Sequence, residues 1–408
     1  MKEIKFIHCA DLHLDSPFSG LSSLPEELFN RLRESTFRSF ERIVEEAVTQ
    51  EVDFVLISGD LYDGEDRSIK AQARMKRQME RLAEKDIPVF IIHGNHDHLG
   101  GSWTYVELPE NVMVFGPDEV SMREMKTKSG MKIHIYGISY GERHVMERTC
   151  SQFIKTGDAD YHIGMLHGHC ENSPSSHQPY SPFTTGELLE KEFDYWALGH
   201  IHQQQILWED PYIIYPGNIQ GRHRKETGAK GCLLIELSSD HSKMEKVETA
   251  DVIWENKKVS IEGMIHFNDV FYCIEKAISE EYNAGKGVIL NIELSGTASL
   301  SQEAKDKLVS GELLEAFQDS VDFDDSFVWL NKIDWTDAVP KSTDVQGSSF
   351  FHELENAMDG FSEEDMEESM KDLYRHMHAR KFLAAPDEDE QAEVLHHAKH
   401  ILTGLLHR

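Results

Sequence analysis

The chain of 408 residues has few cysteines and no long hydrophobic run. Its five cysteines lie far apart without a C-x-x-C pair, which excludes a disulfide scaffold and a thiolate zinc cluster and favours a reducing compartment. No stretch approaches the roughly 18 apolar residues that a membrane-spanning helix needs. The first residues also lack the charged, apolar and cleavage regions of a signal peptide. We therefore expect a cytoplasmic protein with no membrane association.

Basic residues are scarce too, with 41 Lys and Arg against 73 Asp and Glu and a formal net charge of −32. Residues 1–250 hold 27 basic and 40 acidic side chains, whereas residues 251–408 hold 14 and 33. Phosphate affinity comes from Lys and Arg that displace counterions, so the C-terminal third should repel free DNA. Any function on nucleic acid therefore needs a local basic or metal-bearing surface, or a partner.

The hydrophobic pattern predicts three regions. Residues 1–250 alternate short apolar strands with amphipathic helices in the order β-α-β-α-β and then become strand-rich, which predicts an α/β domain with two packed sheets. Residues 255–340 have the pattern of a small α/β unit, with strands near 257–262, 287–294 and 326–333. A polar linker follows Pro340, and residues 345–408 have an acidic helical pattern.

Histidine is abundant, with 23 residues, and several follow apolar strands beside Asp, Asn or Gly. The carboxyl ends of strands in an α/β sheet are the usual place for ligands. Five such places stand out: Asp11-Leu12-His13, Gly59-Asp60, Gly94-Asn95-His96-Asp97, His167, and Gly199-His200-Ile201-His202.

In each D-x-H or H-x-H pair the two side chains project to the same side of an extended backbone, so they can face one ion. Carboxylate, imidazole and amide ligands without thiolate suit Mn²⁺, Fe²⁺, Zn²⁺ or Mg²⁺. Each pair alone is weak, since turns and surface histidines produce the same letters. All five places together, in this order and each after a predicted buried strand, indicate a metal site.

This ordered set resembles the calcineurin-like metallophosphoesterases over roughly residues 3–240. The segments His8–Leu14, Gly59–Asp63 and Tyr215–Asn218 are similar to motifs of the SbcD-type DNA-repair exonucleases, most of all to the Bacillus YhaO branch of that group. The resemblance implies an α/β fold: a two-sheet αββα sandwich, a small α/β capping domain and a helical C-terminal tail. The domains would then be 1–250, 255–340 and 345–408.

The resemblance also implies two divalent metal ions, with Mn²⁺ favoured. One ion would be held by Asp11, His13 and His202 and the other by Asn95, His167 and His200, with Asp60 bridging both. A water activated by the ions would attack phosphorus in line with the leaving oxygen. His96 would protonate that oxygen, and Asp97 would orient the His96 imidazole. Some relatives carry a histidine where this chain has Asp63, so no catalytic role is predicted for Asp63.

The densest basic run near these motifs is Gly221-Arg222-His223-Arg224-Lys225. Arg222, Arg224 and Lys225 could hold phosphates of the strand being cut, although a solvated turn is the alternative. Relatives in the SbcD-type group work on DNA with an SMC-like (SbcC/Rad-type) ABC ATPase and form homodimers. Apolar stripes in residues 345–408 could grip that partner or complete a core.

The leading hypothesis is a metal-dependent phosphodiester hydrolase, a DNA exonuclease or endonuclease subunit in repair, cytoplasmic in a bacterium and nucleoid-associated when on DNA. One alternative keeps the chemistry but acts on nucleotides or other small phosphodiesters. The other is a non-catalytic, metal-bearing scaffold subunit of the ATPase complex. A phosphoprotein phosphatase is disfavoured because such enzymes carry G-N-H-E rather than Gly94-Asn95-His96-Asp97.

Overall fold

The computed structural model describes residues 3–335 except 17–23, 64–66, 102–104, 172–178, 239–241 and 284, together with scattered positions between 361 and 398. The chain divides into two compact units, Met1–Thr336 and Asp337–Arg408. Most of the predicted C-terminal region 345–408 lies outside the described residues. None of the helices in the described part of the chain is long and apolar enough to cross a membrane.

Fifteen strands and six α-helices are described within residues 3–335. The strands are β1 Glu3–Cys9, β2 Phe54–Ser58, β3 Val89–Ile92, β4 Val112–Val114, β5 Ser121–Lys126, β6 Lys132–Gly137, β7 Tyr161–His167, β8 Tyr195–Gly199, β9 Gln205–Glu209, β10 Tyr212–Tyr215, β11 Gly231–Ser238, β12 Ser242–Glu248, β13 Val252–Ser260, β14 Gly287–Ser295 and β15 Phe327–Trp335. The helices are α1 Glu26–Thr49, α2 Ile69–Ala83, α3 Thr185–Leu189, α4 Phe267–Glu280, α5 Gln302–Ser310 and α6 Glu312–Gln318.

Two six-stranded sheets form the larger part of the first unit. Their strand orders are β12-β11-β1-β2-β3-β4 and β5-β6-β7-β8-β10-β9. Strands β1 to β4 run parallel to one another, as do β6, β7 and β8, whereas β11 pairs antiparallel with β1. Parallel strands place all their carboxyl ends at one edge, so the loops that follow them converge there.

Apolar contacts build the sandwich in three layers, one between the two sheets and one on each outer face. Phe6, Phe54 and Phe90 of the first sheet pack between the sheets with Ile163 and Tyr195 of the second. Helices α1 and α2 cover the outer face of the first sheet, and α3 lies on the outer face of the second. The predicted αββα two-sheet sandwich is therefore confirmed. Strands such as β2 and β8 are buried at every residue, which explains their unbroken apolar runs.

A third sheet, β13-β14-β15, is parallel throughout and follows the sandwich in sequence. Helices α4, α5 and α6 cover one face of it around Leu290 and Leu330. The other face packs Trp254 and Trp329 against Leu28 and Leu32 of α1. This sheet and the sandwich belong to the same compact unit, so the division into domains near residue 250 stays a prediction.

Two strands, β5 and β9, were not predicted from the sequence. Strand β5 has the sequence SMREMK and β9 has QILWE, and each forms an edge of the second sheet with most side chains at least partly exposed. Edge strands carry charges that discourage further pairing, so they lack the apolar signal of the buried strands.

Candidate metal centre

The loops that follow β1, β2, β3, β7 and β8 meet at one edge of the sandwich. They bring together the following predicted metal ligands, all buried except His202, which is partly exposed: Asp11, His13, Asp60, Asn95, His167, His200 and His202. Backbone hydrogen bonds interlock the loops, from Asp11 N–H to the Gly59 carbonyl and from His13 N–H to the Asp60 carbonyl, each at 3.0 Å. The residues that the sequence placed far apart therefore share one pocket.

The first ligand group consists of Asp11, His13 and His202, whose ligating atoms lie within 4.8 Å of one another. The Nε2 atoms of the two imidazoles face each other at 3.1 Å. Two imidazole lone pairs at this distance repel unless a cation or a proton lies between them. Together with the carboxylate, this donor set fits a divalent ion.

The second group consists of Asp11, Asp60 and His167. His167 Nδ1 lies 2.9 Å from the carbonyl oxygen of Ser58, so Nδ1 donates a proton and Nε2 is left as the ligand atom. That Nε2 faces Asn95 Oδ1 at 3.2 Å and Asp60 Oδ2 at 3.4 Å. A divalent cation satisfies all three atoms, and Asp60 lies between both groups, within 3.9 Å of His13 as well.

His200 is close to this second group without being part of the tight ligand clusters found among the described residues. Its ring lies 5.3 Å from the His167 ring, and its backbone N–H donates to the Asp11 carboxylate at 3.2 Å. Its predicted role as a ligand stays a prediction.

Four of the seven residues have backbone φ angles that non-glycine residues rarely adopt. The angles are 51° at Asp11, 43° at His13, 51° at Asp60 and 104° at His200. Such left-handed conformations cost on the order of 1–3 kcal/mol each and persist where the surrounding structure holds them, often at functional sites. The strain coincides with the candidate ligands and so supports their functional reading.

Burial and mutual charge shift the acid–base equilibria of these groups. Burial raises the pKa of Asp11 to about 7, and the Asp60 carboxylate adds to that rise. Burial also opposes the ionised form of Asp60, but His167, His13 and His96 together outweigh burial and hold the pKa of Asp60 well below its usual value. Burial disfavours the charged form of His167, yet Asp60 and Asp11 raise the pKa of its imidazole to about 9. Two buried carboxylates thus attract positive charge to this pocket.

One predicted contact is wrong. Asp97 does not orient His96: its carboxylate accepts from His93 Nδ1 at 2.8 Å and from the backbone N–H groups of Gly94 and Leu61 at 2.8 and 2.9 Å. The carboxylate therefore closes the turn formed by residues 94–97, as Asp side chains that accept from nearby backbone N–H groups often do. The sequence motif alone could not show towards which histidine it turns.

His96 is paired with Asp63 instead. The Nδ1 atom of His96 lies 3.0 Å from Asp63 Oδ1, and the same oxygen lies 3.4 Å from His13 Nδ1. The other carboxylate oxygen accepts from Ser16 Oγ at 2.7 Å and from Arg222 Nη1 at 2.8 Å. Asp63 was not expected to take part in the site, although it follows the G-D motif by only three residues.

Of the three predicted phosphate contacts, the structure brings Arg222 to the site. Its guanidinium is mostly buried against Asp63 and Ser16, and no hydrogen-bond partner is found for its Nε among the described residues. Arg224 and Lys225 lie further along the same loop, and their role as phosphate contacts stays a prediction.

Glu226, which follows Lys225 in the same loop, was not predicted from the sequence. Its buried carboxylate accepts from His202 Nδ1 at 2.6 Å. A carboxylate that accepts a hydrogen bond from a metal-binding histidine is a common arrangement. Glu226 could be recognised as such a carboxylate only once the fold was known. Buried His8 contacts the second sheet, with Nδ1 2.9 Å from the Tyr195 hydroxyl and Nε2 3.1 Å from the Leu198 carbonyl.

Comparison with known proteins identifies the family of this chain. A profile of the calcineurin-like phosphoesterases matches residues 4–204. The metallophosphoesterase YhaO of Bacillus subtilis is 40% identical over 408 residues, which cover 98% of each chain. This chain belongs to the calcineurin-like metallophosphoesterases. The family match covers every predicted metal ligand, His96 and Asp63, and the αββα sandwich is the fold that carries them.

More distant relatives match a smaller share of this metallophosphoesterase. The DNA double-strand break repair protein Mre11 of Methanocaldococcus jannaschii is 25% identical over 298 residues, covering 69% of this chain and 76% of that protein. Mre11 of Sulfurisphaera tokodaii is 25% identical over 270 residues, covering 60% and 63%. A dimetal phosphatase from Danio rerio aligns with a TM-score of 0.37 and 12% identity over 60% of this chain and 97% of that one.

Proposed function

We propose that this metallophosphoesterase is a two-metal phosphodiesterase that cleaves DNA in repair, with Mn²⁺ as the favoured ion. The observation that carries the proposal is the convergence of Asp11, His13, Asp60, His167 and His202 on one buried pocket with His96 at its rim. The distant likeness to Mre11 proteins, whose name specifies double-strand break repair, favours DNA among the phosphodiesters.

Two divalent ions, when bound, supply a water of lowered pKa and neutralise charge on the phosphoryl oxygens. We assign Asp11, His13 and His202 to one ion, Asn95, His167 and His200 to the other, and Asp60 to both. Four of these residues, Asp11, His13, Asp60 and His200, lie in strained loop conformations, which supports a functional role for this arrangement.

The leaving oxygen of a nucleotide needs a proton, and we propose that His96 supplies it. Its backbone N–H donates to Asp60 Oδ1 at 2.9 Å, which fixes the residue beside the ligands. Burial lowers the pKa of His96, but the Asp63 hydrogen bond and the nearby carboxylates outweigh burial and raise it. Because Asp63 accepts from Nδ1, the Nε2–H of the imidazolium remains available to the substrate.

We further propose that Arg222, which Asp63 holds at the rim, contacts a phosphate of the bound strand. Arginine is suited to this because its planar guanidinium presents several donors to phosphate oxygens. The net charge of −32 leaves little other basic surface for DNA. We therefore propose that an SMC-like ABC ATPase and pairing of two copies of this chain provide the remaining grip.

The test incubates the full chain with a 3′-labelled oligonucleotide and with bis-p-nitrophenyl phosphate, each with Mn²⁺ or with EDTA. His96→Ala should slow oligonucleotide cleavage by ~10²–10⁴-fold, the usual contribution of a general acid. It should affect the p-nitrophenyl diester far less, because p-nitrophenolate leaves without a proton. Exposed His266, which directly precedes α4, gives the control variant His266→Ala.

The high negative charge favours a second candidate, a phosphodiesterase for small substrates. Mn²⁺-dependent cleavage of the small diester alone, unchanged by addition of the ATPase, would support it. Absence of any cleavage despite two bound ions would replace both candidates by a metal-bearing scaffold.

A further inference from the structure

We propose that Glu226 is a positioning residue that fixes the His202 imidazole in the tautomer required for metal binding. Glu226 comes from the loop between β10 and β11, not from a strand end, and only 7% of it is exposed. No sequence motif points to it. The inference rests on the proposed function, because it concerns the metal site on which that function depends.

The carboxylate of Glu226 is surrounded by donors. Its Oε1 accepts from His202 Nδ1 at 2.6 Å, and its Oε2 accepts from Asn218 Nδ2 at 2.9 Å and from the Arg222 backbone N–H at 2.7 Å. His223 Nε2 lies 3.5 Å from Oε1. Each oxygen is thus satisfied only while the side chain is an ionised acceptor.

This arrangement decides where His202 carries its proton. With Nδ1–H donated to Glu226, the Nε2 of neutral His202 keeps its lone pair and faces His13 Nε2 and the Asp11 carboxylate. A carboxylate on the far nitrogen also raises the basicity of the ligating nitrogen and fixes the ring plane. Glu226 therefore acts on the ion through His202 and touches neither ion nor substrate.

The loop that contains Glu226 also contacts the residues around His96, the proposed general acid. Glu226 holds the backbone of Arg222, and the Arg222 guanidinium donates to Asp63, which contacts His96. One buried carboxylate thus orders the loop that connects His202 with the Asp63–His96 pair.

Glu226→Gln tests the tautomer directly, because an amide can accept with one end only. If its NH₂ group faces His202 Nδ1, that nitrogen must accept and the ring proton moves to Nε2, where it blocks the ion. If the NH₂ group turns the other way, it meets the donors on Asn218 and Arg222. We expect Mn²⁺ affinity at one of the two sites to fall by about 10–100-fold, the usual effect of losing such a partner.

The experiment titrates the metal-free full chain with Mn²⁺ by calorimetry and records the imidazole ¹⁵N shifts of His202. Glu226→Asp, which keeps the charge but withdraws the carboxylate by one methylene, should lie between wild type and Glu226→Gln. The matched control is Glu124→Gln, since Glu124 pairs with His134 Nε2 at 3.2 Å on the far strands β5 and β6. Circular dichroism checks that each variant is folded.

Weaker binding at one site with a proton shifted to Nε2, in Glu226→Gln but not in Glu124→Gln, supports the inference. If wild type binds two ions and Glu226→Gln binds them with unchanged affinity and tautomer, the inference is overturned while the proposed function stands. If wild type binds no Mn²⁺ at all, both fall.

Discussion

The sandwich edge and the three-stranded sheet are both built from parallel strands, yet they treat polar side chains in opposite ways. At the sandwich edge, Asp11, Asp60 and His167 are buried with exposures of 0–1%. On the small sheet, Asn256, Asn291 and Asn331 form a ladder of side-chain hydrogen bonds at 2.8 and 2.9 Å, with Asn256 exposed and the other two partly buried.

The difference separates chemistry from stability. Buried carboxylates and imidazoles cost free energy unless an ion or a partner compensates them, so the sandwich edge keeps them for another purpose. Partly solvated asparagines cost little and contribute little. Substitutions at the edge should therefore change metal binding and rate, and those on or beside the small sheet should change only stability.

The largest effect is expected for Gly94→Ala. A Cβ at this position would lie 2.4 Å from Asp60 Oδ1 and 2.6 Å from His167 Nε2, so one or both side chains must move. A displacement of about 1 Å at reacting groups can cost ~10²-fold in rate. We expect at least that loss in Mn²⁺-dependent diester hydrolysis, together with weaker binding of one ion by calorimetry.

Gly116→Ala is the matched control for this substitution, because a Cβ there meets nothing within 4 Å. Equal losses in both variants would contradict the steric argument.

A stability effect without a rate effect is expected for Asp251→Asn, where the sandwich continues into the small sheet. The buried Asp251 carboxylate accepts from Arg31 Nη2 and Arg42 Nη2, each at 2.9 Å. Breaking a buried ion pair costs about 3–5 kcal/mol, so the free energy of unfolding should fall by about 3 kcal/mol in urea titrations. Asp325→Asn, at a carboxylate 3.8 Å from Arg31 and 95% exposed, should change it by less than about 0.5 kcal/mol. Loss of metal binding in Asp251→Asn would contradict the prediction that this residue affects stability alone.

A smaller and more selective effect is expected for Asp63→Asn. Loss of the Asp63 charge should lower the fraction of protonated His96 and slow oligonucleotide cleavage by about tenfold or more, part of the ~10²–10⁴-fold that a general acid supplies. Hydrolysis of the p-nitrophenyl diester should change little.

Asp97→Asn should instead reduce both rates and stability, because Asp97 holds the turn around Gly94. Identical leaving-group profiles for the two variants would restore the orienting role first predicted for Asp97.

The smallest effect is expected for Asn291→Ala, which removes the middle of the asparagine ladder. Because the ladder is partly solvated and lies outside the metal centre, we expect a loss of about 1 kcal/mol in unfolding free energy and no change in hydrolysis. Lys258→Ala, at an 81% exposed side chain of the same sheet, serves as the reference. A change in catalytic rate here would break the distinction between the two regions.

Residues that follow buried strands were predictable from sequence, because long apolar runs fix the strands and strand ends fix the edge. Asp11, Asp60, Asn95 and His167 were predicted in this way. Strands β2 and β8 were predicted from their unbroken apolar runs. The small sheet was predicted in part. The strands expected at 287–294 and 326–333 coincide with β14 and β15, whereas β13 begins at Val252, before the strand expected at 257–262.

Contacts between loops were not predictable in the same way. Whether Asp63 or Asp97 meets His96 depends on the φ and ψ angles of two turns, and the identity of neighbouring letters does not encode them. Glu226 approaches His202 from a loop 24 residues later in the chain. Local sequence carries no signal for such a pairing, because only the packed fold brings the two segments together.

The pairing of β1 with β11 has a consequence for synthesis on the ribosome. Strand β1 begins at Glu3, but one of its two neighbours, β11, ends at Ser238, with Glu3 opposite Ser238. At ~5–20 residues per second, the first strand waits on the order of 10–50 s for that neighbour. The earliest translated half of the pocket, Asp11 to Asn95, is therefore made well before His167, His200 and His202 exist, and the nascent chain acquires its complete set of ligands only near the end of this interval.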